Sequence, residues 1–71
     1  MQVNYDDKKD LLYIRLDDRP QDVVNRSVSE DVVLDIGKGG RIVGIEVMDA
    51  SHRVELEKLF PVRYRVNRKA V

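Results

Sequence analysis

The 71-residue sequence predicts a small α+β domain: an antiparallel β-meander of four to five short strands with one C-terminal helix, then a final strand or extended arm. Three observations predict it. Short apolar runs rich in β-branched residues alternate with polar positions and are bounded by Gly, Pro or acidic clusters. Two of the firmest runs, residues 32–36 and 41–48, are joined by Gly37-Lys38-Gly39-Gly40, where glycine takes positive φ at no steric cost. Residues 50–60 then change period: Leu56, Leu59 and Phe60 gather on one helical face, with Val54 at its margin.

Residues 2–5 read as a first strand, Val3 and Tyr5 alternating against Gln2 and Asn4, and the polar run 6–10 as a turn. In residues 11–16, Leu12, Ile14 and Leu16 share one face while Leu11, Tyr13 and Arg15 share the other, so the two runs form a hairpin. Residues 17–22 break regular structure, because Pro20 withholds a donor and restricts Arg19. Residues 23–29 are a short, irregular strand, and the glycine turn returns residues 41–48 antiparallel to 32–36. Asp49 or Ser51 is placed to cap a helix over residues 50–60, with Arg53–Glu57 and Glu55–Lys58 as exposed pairs, and Pro61 stops it. Val62, Tyr64 and Val66 then alternate with Arg63 and Arg65. Residues 1–60 are thus a single small α+β domain, and 61–71 a basic C-terminal strand or extended arm.

Size limits what such a chain can do alone. A domain of about 60 residues buries only about 60% of the surface its unfolded form exposes, and small domains add disulfides, metals or partner chains. There is no cysteine and one histidine, which leaves oligomerisation. Residues 42–48 are apolar on both sides, Val43, Ile45 and Val47 against Ile42 and Met48. With one helix to cover one face, the other is expected to be an interface, and Val43, Ile45 and Val47 are its candidate residues. The expected state is a homo-oligomer, with a dimer favoured.

Charge is uneven. Residues 1–60 hold nine Lys/Arg and thirteen Asp/Glu, a balance of −4, whereas residues 61–71 hold Arg63, Arg65, Arg68 and Lys69 and no acid, +4. Cations around Tyr64 suit phosphate contact and base stacking, so Arg63, Tyr64, Arg65, Arg68 and Lys69 are the candidate nucleic-acid contacts. No recognised nucleic-acid motif accompanies them, and an arginine-bearing edge strand or an arm across a partner subunit explains them as well. No apolar run reaches the ~20 residues that span a bilayer, and the opening residues lack the basic and apolar regions of a signal peptide. No membrane association and a cytoplasmic location are expected.

Candidate chemistry is sparse. Asp35 and Glu46 lie in apolar strands that the glycine turn brings side by side, and two close carboxylates split their pKa values as general acid/base pairs do. Each can instead face solvent or pair with Arg41 or Arg15. Asp6, Asp7 and Asp10 resemble part of a calcium loop but lack its glycine and bidentate glutamate, so a hydrated turn is preferred. Asp49 and Ser51 are explained by capping, and His52, beside Ser51, by an exposed first turn without a Gly-x-Ser-x-Gly elbow. Gly37-Lys38-Gly39-Gly40 precedes a strand and lacks the Gly-Lys-Ser/Thr ending of a phosphate loop. No nucleophile–base pair or metal set can be assembled, so a non-enzyme with no catalytic, cofactor or metal residues is expected.

Tyr5-Asp6, Asp10-Leu11-Leu12-Tyr13-Ile14, Val33-Leu34-Asp35, Gly40-Arg41-Ile42-Val43-Gly44-Ile45-Glu46 and Asp49-Ala50-Ser51 follow the order and spacing of a family of small bacterial and archaeal proteins, domain of unknown function 2283. The chain resembles that family over residues 3–60. The resemblance implies a small β-meander with a C-terminal helix and no assigned activity. Through members that sit beside small ribonuclease-like toxin genes, it also implies an antitoxin-like role. The expected function is a homo-oligomeric protein-interaction module. The alternative is an antitoxin-like partner of a small toxin, with a nucleic-acid-contacting basic arm.

Overall fold

Five strands build one antiparallel sheet: β1 (Gln2–Asp6), β2 (Leu11–Arg15), β3 (Val24–Ser27), β4 (Val32–Ile36) and β5 (Ile42–Met48), in the spatial order β1-β2-β5-β4-β3. The computed structural model describes residues 1–67. Each strand falls where a period-two run was expected. The order, however, is not that of a meander. Two hairpins, β1–β2 and β3–β4, flank β5, which pairs with β2 through Leu12↔Val47 and Ile14↔Ile45 and with β4 through Val32↔Val47 and Leu34↔Ile45. The most continuously apolar strand takes the centre, where both of its edges are paired.

This order obliges residues 16–23 to cross three strand spacings, about 14 Å, along one end of the sheet. Leu16 and Asp17 both donate their amides to the Val43 carbonyl. Arg15 donates to the carbonyls of Asp17 and Arg19, and Asp17 takes Arg19 at 2.7 Å and Arg41 at 3.5 Å. Val43 is the extra residue of a bulge, since Asp35 faces Gly44 but Ile36 faces Ile42. The β4–β5 turn closes as expected, with positive φ at Gly39 and Gly40.

The expected C-terminal helix is absent, and the fold is all-β, not α+β. Residues 50–60 form two single 3-10 turns, Ala50–His52 and Leu56–Lys58. Asp49, at φ 55°, is left-handed and its side chain caps no amide, while Glu55 at ψ 89° breaks the run between the turns. A segment of this length cannot repay helix nucleation from its own hydrogen bonds. Its spacing is instead spent on reaching the sheet: Ala50, Val54, Leu56 and Leu59 pack against Val3, Leu12, Ile14, Ile45 and Val47. Of the exposed pairs expected on the helix, Glu55–Lys58 forms and Arg53 turns to Asp31.

The core is therefore small and lopsided. Leu12, Val43, Val47 and Ala50 are the buried apolar residues among those described, each large side chain worth about 1.5–3 kcal/mol. Cover lies over β1, β2 and β5. Beyond Leu59 the chain is neither helix nor strand through residue 67, so the described part of the final segment adds no sixth strand. The radius of gyration is 14.1 Å, against about 11 Å for a compact chain of this length.

Candidate functional site

Besides the Asp17 network of the crossing, two side-chain clusters gather polar groups on the sheet. The first joins the β1–β2 turn to the segment after β5. Asp6 organises the turn by accepting the amides of Lys8 and Lys9, and Asp10 leaves it at a left-handed φ of 50°. That conformation carries the Asp10 carboxylate outward. Its Oδ1 accepts the Tyr5 hydroxyl at 2.6 Å and the Ser51 amide at 3.0 Å, and its Oδ2 accepts the Ser51 hydroxyl at 2.7 Å. The Ala50 amide adds a bond to the Asp10 carbonyl. Those donors hold the Asp10 carboxyl below the usual carboxylate range, led by Tyr5, and the same bond pushes the Tyr5 phenol up to about 12.

Asp49 and His52 stand beside this clasp. His52 Nδ1 lies 2.8 Å from an Asp49 carboxylate oxygen, a bond that raises the imidazole above its ordinary value. Asp10, Asp49 and His52 each bring one ligand atom within 4.8 Å of the others. Among the described residues this set could hold a cation, but Asp10 is engaged by Tyr5 and Ser51 and the His52 ring by Asp49. Asp6 and Asp7 are not part of it. Ser51 gives its proton to Asp10 and is 3.5 Å from His52, so no nucleophile–base pair is set up.

The second cluster lies on the opposite face, where Leu11, Tyr13, Arg15, Asp35, Gly44, Glu46 and Asn25 project by strand parity. Asp35 is buried, at 8% exposure, and accepts from Tyr13 Oη at 3.0 Å and from the Asn25 side-chain amide. The Tyr13 ring reaches it by lying across Gly44. A Cβ at residue 44 would meet Tyr13 Cζ at 2.8 Å and Cε1 at 2.9 Å. The phenol is raised by burial and by Asp35. Every buried side-chain polar atom among the described residues has a partner.

The sequence candidates are thus redistributed. Asp35 and Glu46 share a face but are diagonal in the ladder, Asp35 opposite Gly44 and Glu46 opposite Val33, a separation of about 7–8 Å. Tyr13 sits between them, opposite Glu46 and bonded to Asp35. Neither Arg15 nor Arg41 reaches Asp35; both are drawn to the 16–23 crossing. Val43 and Val47 are buried within the chain, and Ile45 is half-buried against the core that Val47 forms with Leu12 and Ala50. Arg63, Tyr64 and Arg65 are exposed on the arm, Tyr64 at 90%, while Arg68 and Lys69 lie outside the described residues. Tyr13, Asn25 and Tyr5 were not singled out from sequence. A glycine in mid-strand, Gly44, was the one available signal, because it marks a close approach.

No helix among the described residues is long and apolar enough to cross a membrane. No curated protein and no solved structure matches the chain. The profile of the family described as protein of unknown function (DUF2283) matches residues 2–51, from β1 through the serine that closes on Asp10. With most of its length matched, including all five strands and both clusters, the chain belongs to the DUF2283 family.

Proposed function

We propose that this domain is a homo-oligomeric, non-enzymatic protein-interaction module. The observation that carries the reading is the half-covered sheet. Residues 50–59 pack over β1, β2 and β5, whereas Val24 in β3 and Val28 just beyond it stay 71% and 56% exposed. Phe60, Val62, Tyr64 and Val66 add a run of exposed apolar side chains on the arm. Contiguous exposed apolar surface of this kind marks association, and a body with so few buried side chains gains most from it. Both polar clusters are closed by internal hydrogen bonds, which fits a structural role for Asp10 and Asp35. Light scattering on the full chain tests the reading. A mass near twice 8.2 kDa is expected, and a monomer at every concentration would overturn it.

A second reading, an antitoxin-like partner whose arm contacts nucleic acid, draws on Tyr64 standing exposed between Arg63 and Arg65. Removal of residues 62–71 would then weaken salt-sensitive binding to single-stranded RNA. Unchanged affinity would dismiss the arm as the contact.

A further inference from the structure

Two exposed apolar surfaces, the β3 edge of the sheet and the arm, differ in flanking charge: Asp22 and Glu30 stand beside β3, Arg63 and Arg65 on the arm. By strand parity Val24 and Val28 lie on the same face as Val32, Leu34 and Ile36; Val24 and Val28 are exposed and the β4 residues half-buried. The arm forms neither helix nor strand over residues 62–67, and its sequence alternates Val62, Tyr64 and Val66 with Arg63 and Arg65. Residues 62–66 span about 13 Å at strand rise, which fits within the length of the five-residue strand β4.

We infer that residues 60–67 of one chain lie, extended, across the β3–β4 face of a second copy, and that the exchange is reciprocal. The inference rests on the self-association proposed above and names its contacts. Charge favours it. The arm carries Arg63 and Arg65 with no acid, whereas Asp22 and Glu30 flank β3 at its two ends and are exposed. The arm cations Arg63 and Arg65 are thereby met by acids of the other chain. Arg26, exposed on the same strip of β3, presents a guanidinium to the face of the Tyr64 ring.

Area favours it as well. Phe60 and Tyr64 are aromatic anchors able to bury about 150–250 Å² each, and two-fold symmetry uses every contact twice. With Val62 and Val66 from both chains, the buried surface passes the roughly 1,000 Å² that separates specific interfaces from incidental ones.

The test uses the full chain and substitutions that touch nothing in the single subunit. Tyr64→Asp is expected to raise the dimer dissociation constant at least about tenfold, with an unchanged circular dichroism spectrum. Val24→Asp, on the receiving face, should act alike. Because the chain has no cysteine, the double variant Val24→Cys/Tyr64→Cys gives a second readout: mild oxidation should join residue 24 of one chain to residue 64 of another. A wild-type dimer that survives Tyr64→Asp, or that yields no 24–64 link between chains, overturns the arm exchange and leaves self-association standing. A wild-type monomer overturns the proposed function itself. A 24–64 link within one chain shows that the arm folds back, which also refutes exchange.

Discussion

Gly44→Ala perturbs the account at one atom. Gly44 has no positive φ, so alanine suits its backbone and, by restricting the unfolded chain, would by itself stabilise by about 0.4–1 kcal/mol. The Tyr13 ring decides otherwise. Its Cζ and Cε1 lie 2.8 and 2.9 Å from where the new Cβ must go, and the face is open, so the ring swings out. Swinging breaks the hydroxyl bond to Asp35; a bond to a charged group is worth about 1.5–3 kcal/mol, and this part-buried one is taken at the lower end. It also returns about 60 Å² of ring to water, about 1.5 kcal/mol. The net is a loss of about 2 kcal/mol, which for a domain of this size lowers Tm by about 8–16 °C. Urea unfolding followed by far-ultraviolet circular dichroism reads it as a lower midpoint at constant slope. In a Tyr13→Ala background the same substitution should be neutral or stabilising, giving a coupling of about 2 kcal/mol. A Gly44→Ala chain as stable as wild type would refute the placement of Tyr13 over Gly44.

Three further outcomes follow from the clusters. Asp35→Ala leaves the Tyr13 hydroxyl and the Asn25 amide without their acceptor and should destabilise by about 2 kcal/mol in the same assay. The folded-state pKa values of Asp10 and Asp17 are lowered from 3.8, so their contribution is fully present above about pH 4 and lost as pH falls through the folded values; in Asp10→Ala, Tm should lie below wild type at neutral pH and converge with it in acid. In alkaline absorbance titration one phenol, Tyr5, should ionise near 12, and Asp10→Asn should move that step back towards 10.

Local pattern made the strands legible, and nonlocal pairing hid the rest. The runs at Leu11–Arg15, Val32–Ile36 and Ile42–Met48, and the glycine turn between the last two, follow from alternation and from positive φ, which neighbouring residues determine. The insertion of β5 between β2 and β4 depends on pairing partners tens of residues away, so a meander was the natural expectation. Leu56 and Leu59 are three apart, a spacing that one 3-10 turn serves as well as an α-helix; the left-handed Asp49 and the non-helical Glu55 decide against the helix. Ser51 meets Asp10 from 41 positions away. The apparent apolarity of both sides of β5 dissolves because Gly44 and Glu46 share their face with Tyr13 and Asp35, while the bulge buries Val43 on the other.

The most direct test of the central claim, that a second copy completes this half-covered body, is the dependence of Tm on protein concentration. If folding and association are coupled, a hundredfold rise in concentration adds about 2.7 kcal/mol and should raise Tm by about 10 °C, with Tyr64→Asp suppressing the rise. A wild-type Tm that stays constant over that range would contradict the account.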